Sequence, residues 1–142
     1  MREARRDPKR IERRPAVDGL PAPTGPFSWS VGWGDLVFVS GLRGIDPQRG
    51  QPVEGDPERV RLIFEHLGRI LAANGSSLRD VLFARVYVTD MTRHRPIVNE
   101  AFERVFGAEL PARTIVEVRA LNQGDSVEME VVAVRRERPS RG

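Results

Sequence analysis

Hydrophobic and polar positions along this chain recur with two different periods. Pro111 to Val118 and Val127 to Val134 alternate or run apolar and are rich in β-branched residues, a pattern that predicts two strands. Between them, Asn122-Gln123-Gly124-Asp125 is turn chemistry. Near the start, Phe27 to Val31 and Leu36 to Ser40 read as short strands joined by a turn over Gly32 to Asp35, a β-hairpin. Gly41, Gly44, Asp46-Pro47 and Gly50 then mark a loop running to about Gly55. After Asp56-Pro57-Glu58, an N-cap candidate followed by proline, Val60, Ile63, Phe64, Leu67, Ile70 and Leu71 recur at helical spacing as far as Asn74-Gly75. Val81 to Val88 is another strand. A second helix is expected to start near His94 to Pro96, to carry Ile97, Val98, Ala101 and Phe102 on its apolar side, and to stop at Gly107.

The resulting order is ββαβαββ. Helices that alternate with strands in this way predict a two-layer α+β domain, one mixed sheet with both helices on one face. The other face then exposes alternate strand residues, with Val37, Val39, Val86, Val88, Val116 and Val118 among the candidates. An apolar face of that extent marks association, and a homo-oligomer is expected.

Length and charge refine the picture. At 142 residues the chain fits one domain, placed here at 18–136 between a basic arm at 1–17, read as flexible, and a basic tail at 137–142. Residues 1–14 hold seven Arg/Lys against three Asp/Glu, and residues 135–142 hold four Arg against one Glu, which leaves 12 basic and 16 acidic residues between them. The body is mildly acidic, so a nucleic-acid role would rest on the ends alone. The absence of cysteine excludes disulfides, thiolate metal sites and a cysteine nucleophile. No apolar run approaches the length of a membrane span and no signal-peptide pattern opens the chain, so a soluble, cytoplasmic protein is expected.

Candidate chemistry centres on Arg113, at the mouth of its strand behind Pro111. A guanidinium at a strand end suits a carboxylate ligand, although a surface or intersubunit salt bridge is an equal alternative. Glu128, early in the last strand, either faces solvent or orients and deprotonates a water beside Arg113 in one pocket. Ser40 ends an apolar strand before Gly41, where a hydroxyl reaches a ligand and glycine permits close backbone approach. Asn99 interrupts a helical apolar pattern and either orients a ligand or joins a polar helix face. His66 and His94 stand outside any metal-ligand spacing, and no metal site is expected.

Taken together, Gly25-Pro26-Phe27, Val39-Ser40-Gly41, Asp46-Pro47 with Gly50, Val88-Thr89-Asp90-Met91, Val98-Asn99-Glu100-Ala101-Phe102, Pro111-Ala112-Arg113 and Val127-Glu128-Met129-Glu130 resemble the Rid family. These are the reactive intermediate deaminases, also described as YjgF-type proteins, and the resemblance spans roughly residues 19–136. It implies a chorismate-mutase-like α+β fold assembled as a homotrimer, with sites in the clefts between subunits. It also implies hydrolysis of reactive enamines and imines such as 2-aminoacrylate to 2-oxo acids and ammonia, without cofactor or metal. Position by position, Arg113 corresponds to the arginine that pairs with the substrate carboxylate and Glu128 to the glutamate that handles water. Ser40 corresponds to the serine near the ligand, and Asn99 to the supporting asparagine. Phe27 stands where the family often has tyrosine, and Ile115 where many members have cysteine, so the pocket keeps an aromatic wall but lacks a phenol and a thiol. Two other readings compete: a deaminase specific to one unusual amino-acid-derived intermediate, and a non-enzymatic ligand- or RNA-binding role resting on the basic arm.

Overall fold

The computed structural model describes Asp7 and residues 10–136. Its first strand lies where the sequence is almost entirely polar: Ile11–Arg14 (β1) pairs antiparallel with Ser30–Trp33 (β2), Ile11 opposite Trp33 and Arg14 opposite Ser30. This corrects the expectation of a flexible arm for the stretch after Arg10. Backbone pairing orders it, helped by Arg14 Nε donating to Asn74 Oδ1 at 3.2 Å and by an Arg135–Glu12 ion pair at 3.0 Å. Charged side chains are common on such edge strands, where they deter pairing with another chain. Residues 1–6, 8 and 9 of the arm and the tail at 137–142 lie outside the described residues.

The hairpin closes through Gly34, at φ 58°, and Asp35, and Leu36–Leu42 (β3) returns against β2. Asp56–Ala73 (α1) carries proline and two acids in its first turn, which suit the positive end of the helix dipole. Its cap is Gly55 rather than Asp56. Val81–Val88 (β4) leads to Met91–Phe106 (α2), which starts earlier than expected because Asp90 caps it, accepting from the Arg93 N–H at 3.1 Å. Pro96 falls inside this helix instead of near its start. Ala112–Glu117 (β5) and Val127–Val134 (β6) complete the chain.

The sheet order is β1-β2-β3-β6-β4-β5, antiparallel except for the β4–β5 pair. Parallel neighbours need a crossover, and α2 supplies it. The α+β class, the mixed sheet and the order ββαβαββ are as expected, with β1 added in front. Both helices pack on one face. Val37 and Val39 of β3, Ala84, Val86 and Val88 of β4, and Met129, Val131 and Ala133 of β6 meet Val60, Ile63, Leu67 and Ile70 of α1 and Val98 and Phe102 of α2.

Four of the valines expected on the opposite face, Val37, Val39, Val86 and Val88, are therefore in the core, at most 4% exposed. The uncovered face has the other parity: it holds Trp33, Phe38, Val116, Val132 and Val134, with Trp33 and Phe38 about half exposed at 53% and 46%. The inference of an apolar outer face holds, with Val116 as expected and the others different. No helix among the described residues is long and apolar enough to cross a membrane.

Candidate functional site

The pairing of β3 with β6 slips by one residue between Val39 and Leu42, a bulge that leaves Ser40 and Gly41 outside the regular ladder. A cleft of about 400 Å³ opens there, lined by Phe27, Trp29, Ser40, Gly41, Arg43 and Glu128 among others. Strand alternation puts Glu128 on the outer face, opposite Tyr87 of β4. Its carboxylate lies directly over Gly41: a Cβ on that glycine would stand 2.6 Å from Oε1 and 2.8 Å from Cδ. Burial pushes the Glu128 carboxyl above the usual glutamate range, and Asp125 and Glu130 add to this while Arg43 opposes it.

The Ser40 hydroxyl donates to the Ser28 carbonyl at 2.6 Å, so its proton is committed and its oxygen is left to act as an acceptor. Phe27, 38% exposed, packs edge-on against Trp29 with ring centroids 5.3 Å apart, and the indole N–H of Trp29 is anchored on the Pro21 carbonyl. These rings make an apolar wall facing the acidic one.

Arg113 and Asn99 lie elsewhere. They line a separate cleft of about 200 Å³ with Phe102, Glu103, Leu110 and Pro111. Arg113 faces the helices, its guanidinium 4.9 Å from the centre of the Phe102 ring, a cation–π contact. Partial burial, then the nearby Arg95, lower its pKa from the ordinary arginine value. Among the described residues no carboxylate pairs with it. Ile115, two positions on, packs against the core beside Val86 and lines neither cleft.

Arg113 and Glu128 thus flank β4 on opposite sides and opposite faces of the sheet, Arg113 opposite Ala84 and Glu128 opposite Tyr87. Within one chain they therefore do not line one pocket. The physical reason is topological: β4 inserts between their strands, so the two segments are not neighbours. One chain holds two separate clefts, one with a carboxylate and one with a guanidinium. No group of three or more His, Asp or Glu among the described residues is placed to hold a metal ion.

Reasoning from sequence missed Arg43, Asn122, Trp29 and Glu130 as lining residues of the larger cleft. Arg43 is the most consequential, since an arginine in a glycine-rich loop reads as solvated until the fold buries it.

A family model described as Endoribonuclease L-PSP matches residues 19–135, a span that includes the lining of both clefts. The chain belongs to the Rid family. Among curated relatives of this Rid protein, the 2-iminobutanoate/2-iminopropanoate deaminase of Mus musculus is 37% identical over 115 residues, 80% of this chain and 84% of that one. A RutC family protein of Pyrococcus abyssi is 37% identical over 118 residues, 82% of this chain and 92% of that one. Among solved structures, RidA from the Antarctic bacterium Psychrobacter superposes with a TM-score of 0.82 at 33% identity, covering 87% of this chain and 99% of that one. The Rid fold is therefore common to this chain and its relatives, and several of those relatives bear imine-deaminase names.

Proposed function

We propose that this chain hydrolyses reactive enamines and imines of the 2-aminoacrylate type to 2-oxo acids and ammonia, without a cofactor, in sites completed between subunits of a homotrimer. The observation that carries the reading is Arg113: a partly buried guanidinium, stacked on Phe102, open to a cleft and unpaired with any carboxylate among the described residues. A cation in that setting is a receptor for a carboxylate, gripped through two parallel hydrogen bonds. The apolar outer face supports association. A closed ring of copies would set the Arg113–Asn99 cleft of one subunit against the Ser40–Gly41–Glu128 cleft of the next, with Phe27 as wall. The deaminase names of the mouse and human relatives support the substrate class.

The chemistry is modest because the substrate is already reactive. The enamine takes a proton at carbon and becomes the protonated imine while Arg113 holds its carboxylate. Water adds to the C=N carbon as Glu128 takes its proton and the nitrogen gains one. The resulting carbinolamine expels ammonia, its hydroxyl proton is lost, and the C=O of the 2-oxo acid remains. Positioning supplies most of the acceleration, and proton transfer adds about 10²–10⁴-fold.

A coupled assay tests this: a pyridoxal-phosphate dehydratase generates 2-aminoacrylate from serine, and pyruvate formation is followed with and without the protein. Acceleration is expected for the parent, and Arg113→Ala should lose about 2–5 kcal/mol of it, at least some 30-fold, while staying folded and assembled. An equally active Arg113→Ala protein would remove Arg113 from the site. Enamines of increasing side-chain length, assayed in parallel, separate a generalist from an enzyme fitted to one intermediate.

A further inference from the structure

Glu128 is not alone in its cleft. Arg43, at the end of β3, is 7% exposed, and its side chain is nearly enclosed. Nη1 donates to the Asn122 carbonyl at 2.8 Å and to Asp125 Oδ2 at 3.3 Å, and Nη2 donates to Gln123 Oε1 at 2.9 Å. These bonds clamp the guanidinium in the 122–125 turn, whose Gln123 takes a left-handed φ of 58° and in turn donates to the Gly50 carbonyl. The Nε edge is left facing Glu128, with Oε1 3.9 Å away.

The other groups around Glu128 pull the opposite way or are occupied. Asp125 in the turn and Glu130 on the same strand are acids. Glu130 is held by Arg85 at 3.0 Å and by the Tyr87 hydroxyl at 2.5 Å, which leaves those β4 groups turned toward Glu130 rather than Glu128. From β3, Ser40 and Gly41 contribute no charge. Among the described residues, Arg43 is the cation that faces this carboxylate.

We propose that Arg43 is a positioning residue: its buried guanidinium, clamped by the 122–125 turn, holds the Glu128 carboxylate over Gly41 as an anion ready to accept a proton from water. This rests on Glu128 being the carboxylate that activates water. The role is separable from mere structural support because it predicts the protonation of a second residue. A cation lowers a neighbouring carboxylate's pKa, so removing it raises that pKa, and a base that must be ionised then loses activity at a higher pH.

The test follows the Glu128 carboxyl directly, by NMR titration of protein labelled with ¹³C at the glutamate side-chain carboxyl, with the signal assigned from Glu128→Gln. Arg43→Gln should raise the Glu128 titration by about one unit or more, the size expected for a charge within ~4–6 Å. Arg43→Lys keeps a cation for Asp125 and serves if Arg43→Gln does not fold. An ammonium bound to Asp125 is a looser partner for Glu128, so the lysine protein should titrate between the parent and the glutamine variant. The acid limb of kcat/KM for imine hydrolysis should move up in the same order. A Glu128 titration that coincides with the parent in the folded variants overturns the proposal, as does an acid limb that moves while the Glu128 signal stays. The expected order of titrations with no imine hydrolysis by any protein would overturn the deaminase reading and leave the hold of Arg43 on Glu128 standing.

Discussion

At the scale of single residues, Gly41 and Glu128 act as one unit. The space a Cβ would need at position 41 is taken by the far end of the Glu128 side chain, with Oε1 at 2.6 Å and Cγ at 3.0 Å. Alanine there would displace a flexible carboxylate rather than the backbone, so the fold should give way cheaply while the site does not. Gly41→Ala is expected to melt within a few degrees of the parent and to lose roughly 10–100-fold in kcat/KM, since a displacement of about 1 Å can cost 10²-fold. Unchanged turnover in a well-folded Gly41→Ala protein would mean that the position of Glu128 does not matter to the reaction. That these residues line clefts was legible in sequence because each sits in a short local motif: Ser40-Gly41 at a strand end, Arg113 behind Pro111, Glu128 at the head of an apolar strand. Arg43 was not, because its importance comes from burial against a turn 80 residues away. Nor was the absence of Ile115 from both clefts, which depends on which neighbours it packs against.

At the scale of elements, Asp56 joins three of them. Oδ1 accepts from the Ser126 hydroxyl at 2.6 Å, and Oδ2 lies 3.0 Å from Arg93 Nε and 3.3 Å from His94 Nε2, tying the start of α1 to the first turn of α2 and the approach to β6. Burial raises its pKa, but the Ser126 hydroxyl, His94, Arg93 and Arg59 outweigh that and hold the carboxyl below the usual range. A carboxylate depressed in the folded state adds stability above its unfolded pKa of about 3.9, and that stability is lost as pH falls through the lower folded value. Asp56→Asn should therefore cost about 1–3 kcal/mol at pH 7, and the gap to the parent should narrow as urea titrations are taken down through pH 4 to pH 3. A gap of constant size across that range would show that the charge of Asp56 contributes nothing. The same residue illustrates what periodicity conveys. It marked the start of α1 to within one residue, and β4 and β6 were legible to their ends, because apolar spacing is what buries them. The first turn of α2 and all of β1 were not, since a capping aspartate and a backbone ladder hold them instead of apolar contacts. The face each strand residue takes was also invisible, because alternation fixes which residues share a face but not which face meets the helices.

At the scale of the whole molecule, the sheet separates the Arg113 cleft from the Glu128 cleft within a chain, and in the proposed function a second copy brings them together. The uncovered face, with Trp33, Phe38 and Val116 exposed, supplies apolar area for such an assembly. If each working site takes Arg113 from one subunit and Glu128 from its neighbour, then Arg113→Ala and Glu128→Gln proteins should each be inactive alone and active together. After random exchange of equal amounts, a site is intact when its arginine comes from the second protein and its glutamate from the first. Each condition holds half the time, so about a quarter of parental activity should return, whatever the number of subunits in the ring. Mixing without exchange, checked by leaving the oligomers undissociated, should restore nothing. A mixture that stays inactive after verified exchange would place both residues in the service of one chain and overturn the intersubunit site. Recovery near a quarter would locate the reaction at the junction between subunits and make assembly a condition of activity rather than a device for stability alone.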